Sequence, residues 1–238
     1  MYFKTKAIVI SSLKYGDNSL IVRCFTQNYG IQSYLLQGIL STKRTLLKVA
    51  LFQPFMQLEI IASHKNMGTL ERIKEAKVTY TYQSLHTNIY KSSVAMFLSE
   101  ICSFVCTMEQ SDLDLYSFLE EKLQFFDKNE FIPNFHLKFL IDLTRFLGFY
   151  PDMTTIDSSF FDLGEGIFSD FDQTKYTISG KELDLFKNII IIEYTDLQNI
   201  KATKTDRNTL LNSLLKYYEW HFPGFRKTKS LEVLQALF

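Results

Sequence analysis

The chain has 238 residues, long enough for one large domain or two small ones. Its 46 % hydrophobic and 15 % aromatic content excludes a disordered chain, three cysteines exclude a disulfide framework and suit a reducing compartment, and no apolar run approaches the roughly 18–20 residues needed to cross a bilayer. The 26 basic residues balance the 26 acidic ones, yet the charge is sorted along the chain: 11 Lys/Arg against 4 Asp/Glu in residues 1–82, 8 against 19 in 83–200, and 7 against 3 in 201–238. A basic front and a basic tail around an acidic middle point to an anionic partner, of which nucleic acid is the commonest, because neutralising a phosphate releases counterions.

The N-terminus moves straight into a strand-like run without a signal-peptide h-region, so a cytoplasmic protein is expected. Residues 3–80 read as β structure. An apolar run at 7–10 leads to the turn cluster Lys14-Tyr15-Gly16-Asp17-Asn18, and residues 20–26 form a second strand. Asn28-Tyr29-Gly30 turns the chain into a third at 31–37, so the two make a hairpin. A basic connection over 38–48 carries Lys43, Arg44 and Lys48. Pro54 opens a fourth strand, in which Met56, Leu58 and Ile60 alternate with Gln57 and Glu59. Residues 70–80 mix the strand and helix periods; a long bent strand is favoured and a helix stays open. Five strands with basic residues outside predict a small OB-type barrel over 1–82.

From about residue 84 the period changes to that of helices. Val94, Leu98, Ile101 and Val105 mark a long one, and Ser111-Asp112-Leu113-Asp114 starts another. A third runs over about 134–147 and stops at Gly148, with Pro151 beyond it. Residues 152–178 are irregular, acidic and rich in Phe. Ser179 caps a helix to about 193, Asp206 caps another that Pro223-Gly224 ends, and a last short helix covers 231–237. The whole is an α+β chain of two domains, with an all-α domain over 83–238 that holds an irregular insert at about 152–178.

Catalytic motifs are absent: there is no phosphate loop, no G-x-G-x-x-G, no G-x-S-x-G and no H-E-x-x-H. The four histidines are scattered. Cys102 and Cys106 share a helix face but lack two further ligands, so buried thiols are expected rather than a metal site. Lys4, Lys6, Lys14 and Arg23, on or beside strands, together with Lys43, Arg44 and Lys48 in the connection, are the candidate phosphate contacts, with Tyr15, Tyr29 or Tyr34 near enough to stack on bases. Arg226, Lys227 and Lys229, which follow Phe225, could hold an acidic peptide; they could equally complement a helix C-terminus.

Residues 5–38 (TKAIVISSLKYGDNSLIVRCFTQNYGIQSYLLQG), Phe52-Gln53-Pro54, the stretch from Arg145 to Asp152 (RFLGFYPD), and Tyr217-Tyr218-Glu219-Trp220-His221 with Lys227-Thr228-Lys229-Ser230-Leu231 occur in an order that resembles the bacterial RecO family. One departure stands out. Many members carry a four-cysteine zinc element after the L-G-x-x-P turn, whereas residues 152–178 here contain neither Cys nor His, so no cofactor is expected and apolar packing should take the metal's structural role. The resemblance implies a DNA repair and recombination mediator rather than an enzyme. Such a protein binds single- and double-stranded DNA, anneals complementary strands, contacts the acidic C-terminal tail of single-stranded DNA-binding protein and, with RecR, helps load RecA; a bacterial, nucleoid-associated location follows, with no membrane partner. Competing readings are a protein-interaction scaffold without direct DNA binding and, less favoured, an enzyme whose carboxylates meet only in the fold.

Overall fold

The computed structural model describes residues 2–41, 47–64, 70–107, 110–172 and 176–237, and its chain divides into two compact units, Met1–Lys128 and Asn129–Phe238. In the first unit, β1 (Tyr2–Tyr15), β2 (Ser19–Thr26), β3 (Gly30–Leu36), β4 (Gln57–Ser63) and β5 (Ile73–Val78) form an antiparallel sheet in the order β3-β2-β1-β4-β5. Within residues 70–80 the strand reading holds for Ile73–Val78 alone, a shorter element than the long bent strand expected. β1 is long enough to serve two partners: Tyr2 to Ile8 pair with β4, while Ala7 to Tyr15 pair with β2 across an irregularity at Val9/Ser11. Pro54 does not open β4. It precedes Phe55, a buried residue in the left-handed region (φ 66°) whose N–H donates to the Val9 carbonyl, and the ladder begins at Gln57.

Alternation decides the two faces of the sheet. Ala7, Val9, Val22, Cys24, Leu58 and Ile60 fill its inner side, together with Tyr34 and with Phe52 from a 3-10 turn at Val49–Phe52. Each fully buried aliphatic side chain here is worth about 1.5–3 kcal/mol. The expected barrel is not closed. Among the described residues its two edges meet at one parallel bridge, between Tyr34 of β3 and Glu71 just before β5, and past Glu71 the main chain of Arg72 turns to Ser63 on β4.

The outer face of β1 and β2 carries α1 (Ile89–Val105) and α2 (Leu113–Lys128). Asn88 caps α1 through its side chain, and the Asp112 carboxylate accepts from Leu115 N–H at the start of α2. Ser99 of α1 donates to the Ile10 carbonyl, and Phe25 packs against Tyr116 with ring centroids 6.1 Å apart. A single carboxylate then fastens the chain between sheet and helix: Asp127 accepts from the N–H groups of Gln83, Ser84 and Leu85 and from the Tyr80 hydroxyl. Strands give way to helices near residue 82, but compactness divides the chain between Lys128 and Asn129, because α1 and α2 pack on the sheet's outer face.

The second unit contains α3 (Phe135–Leu147), α4 (Gly180–Ile191), α5 (Lys204–His221) and α6 (Leu231–Leu237). Gly148 ends α3 at φ 82°, where a side chain would be strained. Two sequence expectations need correction. The unit is not all-α: residues 152–178 carry β6 (Phe160–Asp162) and β7 (Ile167–Ser169) and run into β8 (Thr177–Ser179), a small antiparallel sheet in the order β7-β6-β8. Strands of three residues are too short to show a period, so the sequence reads as irregular. Phe161 lies 4.8 Å from Phe168 and 4.9 Å from Phe186 of α4, an aromatic cluster that fixes this sheet to the helix. The cap of α5 is Thr203 rather than Asp206; Asp206 is its capping-box partner three residues on.

Candidate nucleic-acid interface

The β1–β2 hairpin runs past the end of β4, so its tip projects, with Leu13, Lys14 and Tyr15 all exposed. Two contacts bind the long connection after β3 to this tip. The Asn18 carbonyl accepts from Leu40 N–H at 3.0 Å, and the Ser12 hydroxyl donates to the Phe52 carbonyl at 2.5 Å. Lys48, exposed, stands immediately before the 3-10 turn that ends in Phe52. Lys14 and Lys48, remote in sequence, therefore sit at one end of the sheet. Lys43 and Arg44 lie outside the described residues; Ser41 and Leu47, which flank them, are at this same end.

The other sequence candidates are placed differently. Lys4 pairs with Glu59 of β4 at 2.9 Å and Lys6 with Glu120 of α2 at 3.3 Å. Arg23 donates from Nη1 to the Ser103 carbonyl of α1 at 2.9 Å. Lys4 is an exposed pair, the kind that exchanges partners at little cost; Lys6 and Arg23 tie helices to the sheet. Of the three tyrosines, Tyr15 is exposed and Tyr29 half-buried, 4.3 Å from the His64 ring. Tyr34 is core: it has no exposed surface and its hydroxyl lies 2.7 Å from His64 Nε2. Burial pushes the Tyr34 phenol upward and the His64 imidazole downward, with the nearby Glu71 opposing the latter, so His64 is held toward its neutral form.

Arg72, Lys74 and Lys77, which are not among the sequence candidates, are all exposed on or beside β5. The available signal was the alternation around Ile73, which is buried between two cations. Lys74 lies 3.9 Å from Glu75 and 5.7 Å from the Tyr2 ring centroid.

In the second unit, Arg226, Lys227 and Lys229 are exposed between α5 and α6. Phe225 beside them is not a free apolar surface; it is half-buried, 5.4 Å from the Tyr218 ring. A groove of about 380 Å³ lies beside α4 and the start of α5. Its charges are mixed, and Lys181 bonds Asp206 at 2.9 Å. Lys181, with Thr203 behind it, holds the Asp206 carboxyl down at about 2, opposite to what a general acid requires. The three thiols are buried and free: burial raises Cys24 to about 12, and a hydrogen bond to Cys106 together with burial raises Cys102 well above its usual range. Among the described residues, no three His, Cys, Asp or Glu side chains converge as a metal site, and no helix is long and apolar enough to cross a membrane.

A sheet of OB-like strand order with cations gathered at one end, followed by a second, mainly helical unit, is the arrangement of a nucleic-acid-binding class of protein. Comparison with known proteins narrows the class. Residues 1–82 match the family model described as Recombination protein O N terminal, and residues 86–232 match Recombination protein O C terminal. The chain is 46 % identical over 238 residues to a protein of Christiangramia forsetii named DNA repair protein RecO, 42 % identical to one of the same name from Flavobacterium psychrophilum, and 32 % identical over 242 residues to one from Bacteroides fragilis, with the full length of both chains covered each time. The chain belongs to the RecO family, and its role is in DNA repair and recombination.

Proposed function

We propose that this chain is a non-enzymatic recombination mediator that binds single- and double-stranded DNA through the cationic end of an OB-type N-terminal unit. The observation that carries this reading is the pair of ties, Asn18 to Leu40 and Ser12 to Phe52, that brings Lys14, Lys48 and the ends of the basic connection together. Lys43 and Arg44 extend this cationic set in sequence, and Lys4 is free to trade Glu59 for a phosphate. Annealing needs no proton transfer and no nucleophile. Two strands repel, and a surface that neutralises both lets pairing proceed.

The wider role proposed here is supported by membership of the family. The protein contacts the acidic C-terminal tail of single-stranded DNA-binding protein, with Arg226, Lys227 and Lys229 as the basic segment offered to it, and acts with RecR to load RecA onto coated DNA at the nucleoid. Retention of the full chain on single-stranded DNA at low salt, lost at high salt, tests the binding step. Absence of retention at low salt would favour a scaffold that works through protein contacts alone.

A further inference from the structure

The open seam of the sheet holds a feature that the sequence did not announce. At the Tyr34–Glu71 bridge, Glu71 N–H donates to the Ser33 carbonyl at 3.0 Å and Leu35 N–H to the Glu71 carbonyl at 2.8 Å. Beyond it β3 and β5 part, and a groove of about 310 Å³ opens between them, at the low end of the ~300–1,000 Å³ usual for ligand sites. Its floor is aliphatic: Leu36, Ile39, Leu47 and Ile73. Arg72 and Lys74 form its rim, both exposed, and no carboxylate lines it among the described residues. Gln37, exposed at the same groove, offers an amide that can donate and accept at once.

An aliphatic floor under two cations suits a ligand that is flat and apolar in one part and anionic in the next. A nucleotide has this form. The cations are also strung out rather than focused. From Arg72 and Lys74 the groove reaches Leu47, whose neighbour Lys48 is exposed. A linear series of cations matches a polyanion better than the single charge of a peptide terminus. We infer that the β3–β5 seam is a base-binding groove for single-stranded DNA, in which an unstacked base lies on Leu36, Ile39, Leu47 and Ile73 while Arg72 and Lys74 hold the flanking phosphates. This rests on the DNA-binding reading above and adds to it a site and two phosphate contacts.

The test uses the full chain and an oligothymidylate carrying one 2-aminopurine. The expected result is a rise in 2-aminopurine fluorescence on binding, because the base leaves its neighbours for a floor without aromatic rings. The paired substitution Arg72→Ala/Lys74→Ala should abolish the rise and flatten the log–log salt slope by about 1.4, two contacts at about 0.7 each on a single strand. The charge-conserving pair Arg72→Lys/Lys74→Arg should restore the slope, which separates lost contacts from lost folding. Binding by the alanine pair with rise and slope unchanged would overturn the groove and leave DNA binding elsewhere on the unit intact. Protection of the Leu36 and Ile73 amides from hydrogen exchange by an acidic peptide, and not by the oligonucleotide, would overturn it in favour of a peptide site. Failure of the unmodified chain to bind DNA would overturn both the groove and the reading beneath it.

Discussion

Arg23 of β2 donates from its guanidinium to the main-chain carbonyl of Ser103, in the last turn of α1, at 2.9 Å. That carbonyl is one of those a helix leaves without an internal partner, and a cation there also complements the helix dipole. A residue that the sequence offers as a phosphate contact is thus engaged in holding a helix to the sheet. Arg23→Ala is expected to cost about 1–2 kcal/mol of stability, measured by urea denaturation, and to leave the salt dependence of DNA binding unchanged. A flattened salt slope in a fully stable variant would return Arg23 to the DNA surface.

Asp127 fastens the junction between β5 and α1. Burial raises its carboxyl pKa, but the donated N–H groups of Gln83, Ser84 and Leu85 and the Tyr80 hydroxyl outweigh this, and the net direction is downward from 3.8. A carboxyl held lower in the folded than in the unfolded chain contributes stability that is present above the unfolded value and lost as pH falls through the folded one. Stability should therefore decline below about pH 4 in part through this residue. Asp127→Asn should remove that part of the pH dependence, and Asp127→Ala should cost about 2–4 kcal/mol at neutral pH by leaving several N–H groups unpaired. Parallel urea midpoints across pH for the three proteins provide the check.

Two glycines with positive φ should respond differently to the same change. Gly148, at φ 82°, faces open space, so Gly148→Ala carries only backbone strain, about 1–2 kcal/mol. At Gly166, φ 71°, an added Cβ would lie 2.7 Å from the Tyr217 hydroxyl oxygen. Tyr217 is buried and donates to the Phe149 carbonyl at 2.6 Å, so it cannot withdraw without losing that bond. Gly166→Ala should cost about 2–4 kcal/mol, and thermal denaturation should rank the two variants in that order.

Local signals made much of this architecture legible. The alternation of Leu58 and Ile60 with Glu59, the Asp112 helix start and the stop at Gly148 each act through neighbours in the chain, and each recurs in the structure, although Gln57, expected on the outer side, is fully buried. What escaped the sequence depends on distant partners. Lys6 meets Glu120 and Arg23 meets Ser103 only after α1 and α2 dock, so a count of charge overstates the free cationic surface. The small β6–β8 sheet was hidden because its register comes from packing of Phe161, Phe168 and Phe186 rather than from period. The seam groove was invisible because closure of a sheet is decided by where its outermost ladder stops, here at Glu71.

The central claim is that the cations gathered at the hairpin end of the first unit bind the phosphodiester backbone. It is tested most directly by the salt dependence of single-stranded DNA binding, compared between the unmodified chain and Lys14→Ala/Lys48→Ala, with a second pair, Lys43→Ala/Arg44→Ala, beside it. Each pair should weaken binding and flatten the log–log slope by about 1.4, and the first pair, whose two lysines are exposed, should leave stability within about 0.5 kcal/mol. Slopes identical to that of the unmodified chain in both pairs, with the fold intact, would contradict the account.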